Sequence, residues 1–137
     1  MIDQFFDYKF GELEYRSVRF ESELLATNNA QGNAVINYTD AETPYTRVME
    51  WRHFDQKGDD NVSILTREYP QVWDRSKEAY YPVNDEKNST LFKQYRSEAK
   101  QLDKVIMGGR LGNYQYYDMD QVFNAALGAV EKEFQQD

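Results

Sequence analysis

The sequence predicts an α+β fold: an antiparallel β-sheet followed by a helix–strand–helix segment of the kind that completes an α/β layer. Three observations carry this. Alternating apolar and polar residues recur through the first two-thirds of the chain, separated by Asn-, Asp- and Gly-containing turns. Helical spacing of apolar residues takes over in the last third. A glycine turn, GGRLG, sits between a short apolar run and a helix start.

The elements follow in order. Leu13, Tyr15, Val18 and Phe20 mark a first strand, with strict alternation broken near Ser17. Residues 28–32 (NNAQG) form a loop, and residues 33–39 (NAVINYT) a second strand with Val35 and Asn37 on one face. After a turn at 40–44, residues 46–54 alternate again: Arg47, Met49, Trp51 and His53 oppose Val48, Glu50 and Arg52. Residues 55–61 (DQKGDDN) read as a hairpin connection, and residues 62–69 (VSILTREY) as its return strand. Short turns between four strands make the sheet antiparallel. Leu91, Phe92, Tyr95, Ala99 and Leu102 then form a helical stripe within 89–102, and residues 104–107 (KVIM) read as a short strand. Asp118 opens the last helix as its cap, with Gln121 placed to complete a capping box. Met119, Val122, Phe123, Ala126, Leu127, Val130 and Phe134 follow at helical spacing. The change of character divides the chain into a sheet domain, 1–83, and a helix–strand–helix piece, 84–137.

Composition excludes several classes of function. The 137 residues are 40% hydrophobic and 15% aromatic, which is a globular rather than a disordered composition. Sixteen Lys and Arg stand against 24 Asp and Glu, a formal charge of −8, so nucleic acid is an unsuitable partner. An anionic small ligand requires arginines that converge locally against this field. The absence of cysteine excludes disulfides, thiolate nucleophiles and Cys-based zinc sites. No apolar run reaches the ~20 residues of a membrane-spanning helix, and the acidic N-terminal stretch MIDQFFDYKF lacks the character of a signal peptide. A soluble, cytoplasmic protein is expected. Most of the 11 tyrosines are expected at strand rims with solvated hydroxyls.

His53, the single histidine, has no second soft ligand spaced with it and reads as structural. Asp55, Asp59, Asp60 and Asn61 miss the spacing of a calcium loop and read as turn residues. No Ser-His-Asp triad is formed by pattern, and no metal site is expected. The stretch VIMGGRLGNYQYYDMDQVF is more specific. Gly108 and Gly109 can take dihedrals closed to other residues and expose backbone N–H groups, and Arg110 can meet a phosphate with two hydrogen bonds. The helix opening at Asp118 turns its positive end toward the same region. By pattern alone this is either a ligand corner or a plain strand–turn–helix corner.

Taken in order, residues 5–17 (FFDYKFGELEYRS), 31–40 (QGNAVINYTD), 44–50 (PYTRVME), 66–70 (TREYP), 80–88 (YYPVNDEKN) and 108–122 (GGRLGNYQYYDMDQV) resemble the C-terminal part of bacterial UDP-galactopyranose mutases. The likeness spans essentially the whole chain, and YYPVND with GGRLxxYxYYDM is its most specific pair. The departures, Ala79 for a common proline, Met107 for phenylalanine and Trp51–Arg52 for His-Lys, touch none of the matched contact residues. The resemblance implies an isomerase that interconverts UDP-galactopyranose and UDP-galactofuranose, a precursor of cell-surface polysaccharide, using reduced FAD as nucleophile without net redox change. It implies that Arg47, Tyr81 and Tyr116 contact the substrate diphosphate, and that Gly108, Gly109, Arg110 and Met119 lie on the flavin side. Asp118, Arg16, Asn37 and Glu68 fall at the edge of the site. The family's Gly-rich flavin-binding unit and its helical domain with a mobile loop have no counterpart in the 137 residues. By itself the chain is therefore expected to be inactive and to hold no FAD. Its open apolar stripe at Val122, Phe123 and Leu127 would then await the flavin domain or drive self-association. The alternative is a free-standing, non-catalytic module that binds a nucleotide sugar or a protein.

Overall fold

The computed structural model describes residues 1–55 and 61–135. It contains β1 (Tyr15–Leu25), β2 (Val35–Asn37), β3 (Arg47–Glu50), β4 (Ser63–Val72) and β5 (Tyr81–Pro82). The helices are α1 (Ile2–Phe5), α2 (Glu86–Ala99), α3 (Gly109–Gly112) and α4 (Met119–Phe134). The strand order is β2-β3-β4-β1-β5, and the β2–β3, β3–β4 and β1–β5 ladders are antiparallel. The α+β class holds. By compactness the chain forms one unit from Met1–Arg16 with Trp73–Asp137 and another from Ser17–Val72, a division drawn differently from the change of sequence character at 83/84.

The first unit is organised by α2. Asp85 caps this helix by accepting the Asn88 N–H at 2.7 Å, so the helix begins before the apolar stripe that predicted it at 89. Asn88, Leu91, Tyr95 and Ala99 then recur on one face and hold the segment preceding β1. Asn88 Oδ1 accepts the Glu14 N–H at 3.0 Å. The Tyr95 hydroxyl accepts the Phe10 N–H at 3.1 Å and donates to the Gly11 carbonyl at 2.5 Å. Asp3 completes the arrangement, accepting from the Leu13 N–H at 3.0 Å and the Tyr15 hydroxyl at 2.9 Å. Burial, with Asp3 alongside, pushes the Tyr15 hydroxyl well above its ordinary pKa. Ile2, Leu13, Tyr15, Tyr95 and Tyr114 form the buried core, with Phe6, Phe10, Trp73, Leu91 and Phe92 packed around them. Tyr15, Tyr95 and Tyr114 are not rim tyrosines: they are buried, and their hydroxyls are bonded to protein.

The second unit has a thinner interior, and a carboxylate sits in it. Val48 and Leu65 are its buried aliphatic residues among those described, beside fully buried Glu50. Glu50 accepts the Ala30 N–H at 2.8 Å, the Gln31 N–H at 2.9 Å and the Ser63 hydroxyl at 2.7 Å, with His53 Nε2 at 3.2 Å. These contacts shorten the predicted third strand. β3 stops at Glu50, and Trp51–His53 turn into a 3-10 helix rather than continuing the alternation. Trp51 Nε1 donates to Thr66 Oγ1 at 2.7 Å, which fixes the turn against β4. The predicted connection at 55–61 lies largely in 56–60, outside the described residues.

Two further expectations change. β5, two residues long, is too short for any periodicity to reveal. Residues 104–107 carry no regular structure, although they read as a strand. No described strand offers them a ladder, and Val105 and Ile106 lie exposed.

The Glu50 network generates a prediction with a defined sign. Burial alone would raise this carboxyl, but the Ser63 hydroxyl, the Ala30 and Gln31 N–H groups and His53 outweigh it, lowering the pKa from 4.5 to about 2. A depressed folded-state value means that the contribution is complete above about 4.5 and is lost as pH falls toward about 2. Glu50→Ala should cost about 2–5 kcal/mol by stranding the buried Ser63 hydroxyl and releasing the part-buried Ala30 and Gln31 N–H groups. Urea unfolding at pH 7 and pH 3 checks this: the difference between wild type and variant should shrink at the lower pH.

Candidate functional site

Each unit carries its own cluster of candidate residues. In the Ser17–Val72 unit, the antiparallel register sets Asn37 opposite Arg47 and Arg47 opposite Glu68. Three residues far apart in sequence therefore form one row across β2, β3 and β4. Arg47 Nε donates to Asn37 Oδ1 at 2.9 Å, and its Nη1 stands 3.9 Å from Glu68 Oε2. Glu68 is itself held by the Thr46 hydroxyl, which donates to Oε1 at 3.0 Å. The Arg47 side chain remains 43% exposed, while that of Glu68 is 13% exposed. An oriented guanidinium with solvent access can receive an anion.

In the other unit, Tyr81 and Tyr116 face each other with ring centroids 5.6 Å apart and planes inclined by 33°. The Arg110 guanidinium lies over both rings, 4.7 Å from the Tyr116 centroid and 5.7 Å from that of Tyr81. Arg110 Nε donates to the Tyr117 carbonyl at 2.7 Å, which orients the terminal nitrogens. Arg16 pairs with Tyr81 on the β1–β5 ladder. The structure thus brings Arg110, Tyr81 and Tyr116 together, with Arg16 on the adjacent strand.

The glycine turn is half as predicted. Gly109 has a φ of +72°, the left-handed region that favours glycine, and begins the single turn α3. Gly108 is ordinary extended backbone at φ −139°, so its conformation does not require glycine. At both positions the space where a Cβ would stand is open. Asp118 caps α4, its N–H donating to Gln121 Oε1 at 2.9 Å in the predicted capping box. Met119 follows in the first turn, largely exposed. The apolar positions of α4 are open: Phe123, Leu127, Val130 and Phe134 are all exposed. A groove of about 370 Å³ runs between α4 and residues 106–109.

Sequence reasoning missed Tyr114. Its hydroxyl donates its one proton to the Glu14 carbonyl at 2.6 Å, with the Val83 carbonyl as the alternative acceptor at 3.0 Å, and accepts the Val83 N–H at 3.1 Å. Burial pushes this hydroxyl up to about 12 from 10.0. Tyr114 lies two residues before Tyr116, and Val83 two residues after Tyr81, so one buried phenol ties together the segments that present the ring pair. Its left-handed backbone, φ +46°, was the missing signal, and only coordinates show it. Among the described residues, no three acidic or histidine side chains converge to hold a metal ion, and no helix is long and apolar enough to cross a membrane.

Fold and side chains together define an α+β protein with two arginines oriented by neighbouring groups, one within a sheet and one above a pair of tyrosines. The model of the UDP-galactopyranose mutase family matches residues 1–116, and the chain belongs to that family. It is 35% identical over 130 residues to the dTDP-fucopyranose mutase of Escherichia coli, covering 95% of this chain and 34% of that protein. It is 36% identical over 137 residues to the UDP-galactopyranose mutase of Mycoplasma pneumoniae, again covering 34% of the relative. A probable UDP-galactopyranose mutase of Klebsiella pneumoniae is 32% identical over 131 residues, with 96% of this chain and 34% of the relative covered. The chain therefore spans about a third of the length of the curated relatives it matches. These relatives are mutases, a class of isomerase.

The Tyr114 tie is testable. Tyr114→Phe should cost about 0.5–1.5 kcal/mol, because the Glu14 carbonyl loses its hydroxyl donor while the Val83 N–H keeps the Glu14 carbonyl as acceptor. It should also weaken the cross-peaks between the Tyr81 and Tyr116 rings in a nuclear Overhauser spectrum. Unchanged cross-peaks would show that the ring pair is held by other means.

Proposed function

We propose that this chain supplies the substrate-diphosphate groups and the flavin-side rim of a mutase interconverting UDP-galactopyranose and UDP-galactofuranose. The observation that carries the reading is the Arg110–Tyr81–Tyr116 cluster, found in a chain whose family is named for this reaction. In this reading Arg47, Tyr81 and Tyr116 meet the diphosphate, and Asp118, Arg16, Asn37 and Glu68 border the site. Residues 1–83 form the substrate-side domain, and 84–137 form the flavin-side piece, from which Tyr116 also serves the diphosphate. The protein works in the cytoplasm together with the polypeptide that makes up the rest of its relatives' length, which would also cover the open face of α4.

The residues present fit an anionic cofactor. Gly108 and Gly109 leave room for close backbone approach, and Arg110 commits only Nε to a bond among the described residues. Met119, in the first turn of α4, has an N–H with no intrahelical acceptor. Gly108, Gly109, Arg110 and Met119 would thus hold reduced FAD, which when bound supplies a nucleophile for the anomeric carbon. This chain's own residues act on the diphosphate. As the glycosidic bond breaks, negative charge grows on the departing diphosphate, and the Arg47 guanidinium and the Tyr81 and Tyr116 hydroxyls stabilise it. The same groups hold the diphosphate in place until it recombines with the ring-contracted sugar. No net oxidation occurs.

The names of the relatives include both a UDP-galactose and a dTDP-fucose mutase. Both substrates carry a nucleoside diphosphate, so Arg47, Tyr81 and Tyr116 serve either. UDP-galactose is the reading preferred here because the family model and most of these relatives bear that name.

Titrating the 137-residue chain with UDP should shift the ring resonances of Tyr81 and Tyr116 in a saturable way. Absence of any shift at millimolar UDP would reject the diphosphate assignment. In the full-length enzyme, Arg47→Ala should lower kcat/KM by a factor equivalent to about 2–4 kcal/mol, the scale for one preorganised donor at a developing anion. Steady-state kinetics with the cofactor kept reduced would measure it.

A further inference from the structure

Resting on the reading that Arg47 binds a diphosphate, we infer that Asn37 is a positioning residue: it fixes the Arg47 guanidinium so that the terminal nitrogens, not Nε, face the ligand. The inference comes from the row across the sheet. Antiparallel pairing sets Asn37 directly opposite Arg47, and Asn37 Oδ1 accepts from Nε at 2.9 Å. That bond consumes one of the five guanidinium donors and fixes the plane of the other four. Glu68 flanks the group from the next strand, held by Thr46 and 3.9 Å from Nη1. At that separation it attracts the guanidinium without a hydrogen bond, so it limits side-chain swing while leaving the terminal donors available. Arg47 is 43% exposed, and an arginine so exposed would otherwise sample many rotamers. Orientation before binding removes part of the ordering cost from the binding step.

The double-mutant cycle of Asn37→Ala with Arg47→Lys tests this, using UDP as the probe and the 137-residue chain as the protein. Lysine has no Nε–H to offer Asn37, so the two changes should not add. In the arginine background, Asn37→Ala should weaken UDP binding about three- to tenfold, the range expected from leaving one flexible side chain unordered. In the lysine background it should have little effect. An equal loss in both backgrounds would mean that Asn37 merely supports the strand, and would overturn the inference.

A second readout needs no ligand. The Arg47 Nε–H resonance should be dispersed and slow to exchange in the wild type, lost in Asn37→Ala and restored in Asn37→Asp, which keeps the acceptor. An exchange rate indifferent to Asn37 would also overturn the inference. The underlying diphosphate reading fails separately, through Arg47→Ala binding UDP as well as the wild type. In that event the Nε–H resonance alone decides whether Asn37 orients the guanidinium.

Discussion

One buried hydroxyl, that of Tyr114, determines the local geometry of the tyrosine cluster. It binds backbone groups of Glu14 and Val83, drawing together the end of the N-terminal segment, the strand β5 and the turn after α3. The Val83 N–H also reaches the Glu14 carbonyl at 3.1 Å, and the Asp85 N–H reaches the Val83 carbonyl at 3.1 Å, so the phenol reinforces a junction that backbone bonds already close and adds the turn after α3 to it. The neighbouring Tyr15 and Phe92 rings pack against Tyr114 at 5.4 and 5.6 Å, so the same residue is anchored both by hydrogen bonds and by aromatic contacts. Tyr81 and Tyr116 meet because the residues two positions away from each are joined.

The other unit applies the same principle with a carboxylate. Glu50 gathers two loop N–H groups and the Ser63 hydroxyl at the end of β3, three residues beyond Arg47. With few buried aliphatic side chains, polar groups inside must be fully bonded if they are not to weaken the fold. In both units, then, the buried polar groups determine where the exposed arginines and tyrosines are presented.

The α+β class, α4 with its capping box, and the strands at Tyr15, Val35, Arg47 and Ser63 were legible in the sequence because periodicity and turn residues agreed there. Arg47, Tyr81, Tyr116 and Arg110 were singled out through resemblance alone, which reports neither the neighbours of Arg47 nor the packing of Arg110 on Tyr81 and Tyr116. The row of Asn37, Arg47 and Glu68 depends on strand register, which no local pattern reports. β5 escaped because two residues carry no period, and residues 104–107 misled because an apolar run alone does not supply a pairing partner. Trp51 to His53 read as strand because alternation continued through them, but the bonds to Glu50 and Thr66 turned the backbone. Tyr114 was hidden among the tyrosines of GNYQYYD, where composition cannot distinguish a buried anchor from an exposed ring.

The row across the sheet also determines how the site can be lost. Successive side chains on a strand point to opposite faces, so a slip of β3 by one residue would replace Arg47 with Val48 or Thr46 on the Asn37 face. Every amino acid would remain, yet the cation would lie on the wrong side. Glu50 is what makes that slip costly, since its four partners fit only one phase of the strand. A fully buried carboxylate thus acts as the phase reference of the site.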